Sequence, residues 1–238
     1  MDKPPLKPQT TTLWHYPSQQ HTREPLGDPR FKGSTPTYVI WDLLERFTRE
    51  EDLVVDPFCG GGTTLDVARA MKRRALGYDV APTRKDIFRA DARKLPLEDA
   101  KADFVFMDPP YSTHIEYSDS PDCIGRLDAH EGEYFDAMER VFAEADRVLR
   151  DRRYLAVYVS DTLDRKRGFV GIGARFFAML AARFRPIDHV CVVRGNRTLE
   201  RANYHRAAEE GNFLLRGFNH LLIFKKERGP RAASRGGS

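Results

Sequence analysis

The chain has 238 residues, 41% of them hydrophobic and 31% charged, with a formal net charge of +4. That length and balance suit an α/β domain with appendages and a buried core. No apolar run approaches a membrane span, and Met1 to Gln9 lacks the apolar stretch of a signal peptide, so the expected location is the cytoplasm, with no membrane partner. Cys59, Cys123 and Cys191 are widely spaced and form no CxxC pair, so neither a metal site nor a disulfide framework is signalled. The mild positive charge is compatible with a polyanionic partner.

Residues 1–33 are rich in Pro, Gln, Thr and His and read as an arm whose aromatics, Trp14, Tyr16 and Phe31, dock it on its own domain. A domain over 34–226 follows. Ser34-Thr35-Pro36 predicts a capped helix start, with a helix to about Phe47. Asp52 to Asp56 reads as a buried strand, Thr63 to Arg73 as a helix, Arg74 to Val80 as a second strand and Ile87 to Ala92 as a third extended segment. Phe104 to Met107 is a fourth strand, Gly132 to Arg150 a helix, Tyr154 to Ser160 a fifth strand and Gly171 to Phe184 a helix. Ile187 to Val193 and His220 to Lys225 close the pattern, separated by a polar insertion over 194–219 without a clear helix. Alternation of this kind predicts a mostly parallel sheet with helices on both faces and an antiparallel last strand. The segment 227–238 reads as a disordered basic tail.

The first strand leads into Asp56-Pro57-Phe58-Cys59-Gly60-Gly61-Gly62-Thr63-Thr64. Glycines at a strand-to-helix turn let the backbone approach a ligand, and the helix start offers free N–H groups. No Gly-Lys-Ser/Thr follows, so this is not a phosphate-binding P-loop of the Walker kind. Asp79, about twenty residues on at the end of the second strand, stands where ribose hydroxyls are bound in such folds. Asp91 stands after the third segment, where it could meet an adenine amino group.

A second motif, Asp108-Pro109-Pro110-Tyr111, follows the fourth strand. Two prolines stiffen a turn at the sheet edge where open α/β folds bind ligands. Asp108 supplies one fixed acceptor, a proline carbonyl another, and Tyr111 a flat face.

Together the two motifs resemble the amino-methyltransferases of nucleic acid, the N4-cytosine and N6-adenine methylases and their RNA-modifying relatives, over about Leu13 to Lys226. The resemblance implies a Rossmann-like class I methyltransferase fold and S-adenosylmethionine (SAM) as cofactor. It implies a methyl acceptor at an exocyclic amine, held by the Asp108 carboxylate and the Pro109 carbonyl, with Tyr111 stacked on an unpaired base. Asp56, Phe58, Cys59, Gly60, Gly62, Asp79, Asp91 and Ala92 would then line the cofactor site, joined by Thr35, which could equally be a helix cap, and the arm over 1–33 would pack near it, Leu13 to Pro17 and Gly33 to Pro36 resembling the segment that folds over SAM in the family. His114 and Tyr117, after the catalytic turn, would shape the base pocket or belong to a lid. Arg194, Asn196 and Arg197 in the insertion would meet nucleic acid.

Two features depart from the pattern. The link from Asp79 to Ile87 is too short for a crossover helix, so the third strand is vestigial or that edge is rearranged. No large separate segment for reading DNA sequence is evident, which tilts the reading toward a structured RNA such as rRNA. Site-specific DNA methylation at cytosine N4 or adenine N6, RNA guanine-N2 methylation, a small-molecule methyltransferase and a non-catalytic SAM- or nucleic-acid-binding module are the alternatives.

Overall fold

Val54 and Val55 are neighbours in the chain and face opposite sides of one sheet, and that alternation organises the molecule. In the computed structural model, which describes residues 6–31, 33–111, 113, 118–194, 199 and 201–227, β-strand pleating sends every second side chain to each face. Val54, Phe104, Phe106, Ala156 and Tyr158 join one apolar layer with helix α1 (Thr37–Phe47) and helix α2 (Thr63–Ala70). Val55, Val105, Met107, Leu155 and Val157 join the other with helix α3 (Gly132–Val148) and helix α4 (Ile172–Ala181). The central strand Ala102–Met107 is buried at all six positions, as a strand covered on both faces must be.

In chain order the strands are β1 (Leu13–Trp14), β2 (Leu53–Asp56), β3 (Arg74–Asp79), β4 (Ile87–Arg89), β5 (Ala102–Met107), β6 (Leu149–Val159), β7 (Thr162–Asp164), β8 (Gly168–Val170), β9 (Arg185–Val193) and β10 (Phe218–Lys225). The main sheet runs β1-β9-β10-β6-β5-β2-β3-β4. All its neighbours pair in parallel except around β10, which runs against both β6 and β9. This is the Rossmann-like methyltransferase arrangement, with its antiparallel strand at β10. β7 and β8 form a separate antiparallel hairpin.

Several elements differ from the sequence reading. β4 pairs in parallel with β3 although no helix joins them; Arg84 braces the connecting loop by gripping Asp66 at 2.7 Å and Asp86 at 2.8 Å. α2 stops at Ala70 rather than Arg73. Lys72 turns left-handed (φ 61°), and the Lys72 and Arg73 amides close onto the Arg69 and Ala68 carbonyls. That is a Schellman stop without its usual glycine, so no residue advertised it. Ser34-Thr35 does not cap α1: Pro36 holds the cap position with no side-chain bond. The insertion between β9 and β10 contains a helix, α5 (Ala202–Glu210), with no buried residue and hence no apolar face to read. β1 and the β7–β8 hairpin are too short to show a period.

Candidate active site

The C-terminal ends of β2, β3 and β5 open into a cleft, the place where open α/β sheets bind small molecules. Asp56, Phe58, Cys59, Gly60, Asp79, Asp91, Ala92, Thr35, Asp108 and Pro110 all line it. Gly60 (φ 47°) and Gly62 (φ 81°) take the left-handed backbone that the turn requires. Gly60 also lies under Phe31, whose ring would be 2.6 Å from any Cβ there. Asp79 at the end of β3 accepts the Gly60 amide and the Ala81 amide, both at 2.9 Å, which fixes the carboxylate on the cleft wall. Asp56 accepts the Phe58 amide at 2.9 Å. Burial holds its carboxyl up at about 7, opposed by a bond from Thr64. Asp91 lines the same cleft, gripped by Arg93 at 2.7 Å.

The arm completes the wall. The Gly27 amide donates to Asp66 of α2 at 2.8 Å, and the Asp28 amide donates to the Gly61 carbonyl at 2.8 Å. The Thr37 amide and hydroxyl both donate to the Gln19 carbonyl, tying the arm to the start of α1. Phe31, Gly33, Thr63, Thr64, Thr83 and Cys123 also line the cleft, none of them named as a cofactor contact from the sequence, although Phe31 and Gly33 belong to the arm expected near the cofactor. Thr63 and Thr64 belong to the glycine motif and could have been included. Phe31 and Cys123 reach the cleft only through the folded path of the chain, and no local signal marks them.

Asp108 follows β5 at the mouth of this cleft. The Thr35 hydroxyl donates to its Oδ2. Burial pushes its carboxyl up to about 8; Thr35 and the Arg194 guanidinium pull it down, and Asp56 adds to the rise. The Tyr134 hydroxyl of α3 donates to the Pro110 carbonyl at 2.9 Å. Among the described residues none donates to the Pro109 carbonyl. Tyr134 reads in the sequence as one more core aromatic, and it was missed as a support of the turn.

Beyond the turn lies a second hollow, lined by Tyr111, Ser160, Asp161, Thr162, Leu163, Arg194 and the segment 213–216. The Arg194 guanidinium donates to the Ser160 hydroxyl at 3.3 Å. Burial, reinforced by Asp108, pushes the Tyr111 phenol up, so the ring is neutral. The turn 108–111 therefore stands between two hollows, with Asp108 and Pro110 facing the first and Tyr111 the second. The structure brings Arg194 to the site; His114, Tyr117, Asn196 and Arg197 lie outside the described residues. No cysteine is set up as a nucleophile: burial pushes the Cys59 and Cys123 thiols upward, away from the thiolate.

An open α/β sheet with one reversed strand and a glycine-lined cleft at its C-terminal edge defines the class I methyltransferase fold. Two solved structures share it at low identity: the [4+2]-cyclase SpnF (TM-score 0.54, 15% identical, 82% of this chain and 83% of that one) and a SAM-dependent methyltransferase from Methanosarcina mazei (TM-score 0.50, 14% identical, 79% of this chain and 98% of that one). Residues 2–90 of the chain match the profile of the N6/N4 methyltransferases, described as DNA methylase. Its curated relatives are the type II methyltransferase M1.MboII of Moraxella bovis, 38% identical over 72 residues, and M.HindIII of Haemophilus influenzae, 46% identical over 37 residues. These matches cover 29% and 16% of this chain, and only 27% and 12% of those proteins. No described helix is long and apolar enough to cross a membrane.

Proposed function

We propose that the protein is a SAM-dependent methyltransferase acting on an exocyclic amino group of a nucleic-acid base, cytosine N4 or adenine N6. The observation that carries this reading is the position of the Asp108 carboxylate on the glycine-lined cleft, with Tyr111 of the same turn on a second hollow. The cleft suits the cofactor chemically. Asp79 offers a fixed carboxylate to ribose hydroxyls, the glycine turn admits a close backbone approach, and Phe31 and Phe58 give apolar walls. SAM, when bound, supplies an electrophilic methyl group.

The protein's own part is to prepare the nitrogen. An aromatic amine is a poor nucleophile because its lone pair is delocalised into the ring. Asp108 and the Pro109 carbonyl would each accept one of its N–H bonds, draw the nitrogen toward tetrahedral geometry and turn its lone pair toward the cleft. Tyr111 would stack on the base in the second hollow. As the nitrogen gains its methyl group, one N–H proton passes to the Asp108 carboxylate, whose raised affinity for a proton suits it to that role.

DNA is the first polymer to test, because the matched family segment is that of DNA methylases. RNA is the second, favoured by the small size of the insertions within the sheet, none of which forms a separate reading domain among the described residues. Calorimetry with SAM and with S-adenosylhomocysteine, followed by transfer of labelled methyl to DNA and to RNA, tests the proposal. Asp108→Ala should bind both nucleosides normally and transfer nothing. Failure of wild type to bind either would end the methyltransferase reading.

A further inference from the structure

Seven large apolar side chains are exposed among the described residues, and four of them, Phe169, Tyr204, Leu214 and Phe218, lie on β8 or within 202–218. The β7–β8 hairpin and the segment 213–216 brace each other by two reciprocal contacts. Arg165, at the hairpin turn, lies 4.8 Å over the Phe213 ring, and Arg216 lies 5.2 Å over the Phe169 ring of the hairpin. The groove they share is the second hollow itself, whose wall contains Tyr111, Leu163, Arg194, Phe213, Leu214 and Arg216. One donor in that wall, Arg216 Nε, is shielded from solvent and has no hydrogen-bond partner among the described residues. A buried guanidinium N–H without an acceptor costs free energy unless something supplies one.

The geometry points to a single-stranded nucleic acid as the occupant of this groove, its unpaired nucleotides flanking the base held at Tyr111. This rests on the methyltransferase reading and adds to it where the polymer lies and in what form. Aromatic faces accept bases of any sequence, while guanidinium groups take phosphate oxygens, and the combination belongs to unpaired strands rather than to duplex grooves. Arg216 Nε would find its acceptor in a phosphate or base oxygen. Leu214, 79% exposed on the rim, would be covered by a base.

The test is fluorescence anisotropy with a labelled oligonucleotide of about 12 nucleotides, a length within the site sizes of single-strand binders, as single-stranded DNA, single-stranded RNA and each duplex. Wild type should bind at least one single strand more tightly than its duplex. Leu214→Asp, whose side chain is too exposed to affect folding, and Arg216→Gln should each weaken that binding about tenfold or more. For Arg216→Gln the salt slope of log K should fall by about 0.7 for the lost phosphate contact. Leu214→Asp should keep the wild-type melting temperature, and both variants the wild-type affinity for S-adenosylhomocysteine. Equal or tighter duplex binding, or single-strand binding unchanged in both variants, would overturn the inference while leaving the methyltransferase reading intact. So would a self-association of wild type abolished by Leu214→Asp, which would make the groove an interface between copies. Loss of cofactor binding in wild type would instead count against the methyltransferase reading alone.

Discussion

In the proposed function Asp108 accepts a hydrogen bond from an amine, yet burial makes its carboxyl hold a proton up to about pH 8. Only the ionised form has both oxygens available as acceptors. The expected consequence is that kcat/KM for methyl transfer rises with pH and levels off above about 8, read from a pH–rate profile. The same group affects stability with the opposite sign. The unfolded carboxyl loses its proton near about 4, whereas the folded one keeps it to about 8. The folded state therefore binds more protons across that window, and the associated stability is present at low pH and lost as pH rises through 8. Asp56, held up at about 7, adds to the trend in the same direction. Asp108→Asn should thus gain melting temperature relative to wild type, and gain more at pH 9 than at pH 5. A third expectation concerns Tyr134, which holds the Pro110 carbonyl. Tyr134→Phe should cost about 1 kcal/mol of stability in denaturant titrations and lower kcat more than it lowers cofactor affinity.

At the scale of elements, the site depends on pieces that carry almost no periodicity. The arm is fastened by the Gly27 amide on Asp66, the same carboxylate that Arg84 grips, so α2, the arm and the β3–β4 link share one joint. Asp66→Ala should loosen all three, raising the Kd for S-adenosylhomocysteine while leaving the β5 turn in place. Lys72 in its left-handed position is strained for a side-chain-bearing residue. Lys72→Gly should stabilise the fold by about 1 kcal/mol, seen as a higher melting temperature. These joints also explain what could be read in advance. β2, β5 and the end of β6 announced themselves as short continuous apolar runs because both their faces are buried, and the four helices packed on the sheet because burial of one face imposes a period of 3.6. The Asp56 and Asp108 turns were legible because glycine and proline leave few backbone choices. Thr35 looked like a helix cap by its position, but its hydroxyl is engaged by Asp108, 73 residues away, and no local pattern encodes that. α5 shows the complementary case: a helix that buries nothing writes no apolar stripe. Phe31 and Tyr134 were invisible as site residues because their neighbours are set by the folded path.

At the scale of the whole molecule, the fold places two hollows on either side of one rigid turn, and the chemistry follows from that division. The cofactor cleft is built by β2, β3, the arm and the β5 end. The second hollow is built by the β6 end, the hairpin and the insertion between β9 and β10. The first set is shared with the matched family segment, residues 2–90, up to β4. The second lies wholly outside it, which is why target base and polymer are the less predictable properties. SpnF, a [4+2]-cyclase, has the same architecture, so the fold alone does not assign a reaction; the proposed one rests on the residues at the turn. The most direct measurement is mass spectrometry of nucleosides digested from DNA and from total RNA after incubation with the protein and SAM. The account expects a single new species methylated on an exocyclic amine, N4-methylcytosine or N6-methyladenine, absent with Asp108→Ala. A methyl group on carbon or on a ring nitrogen, or a product that survives Asp108→Ala, would contradict it.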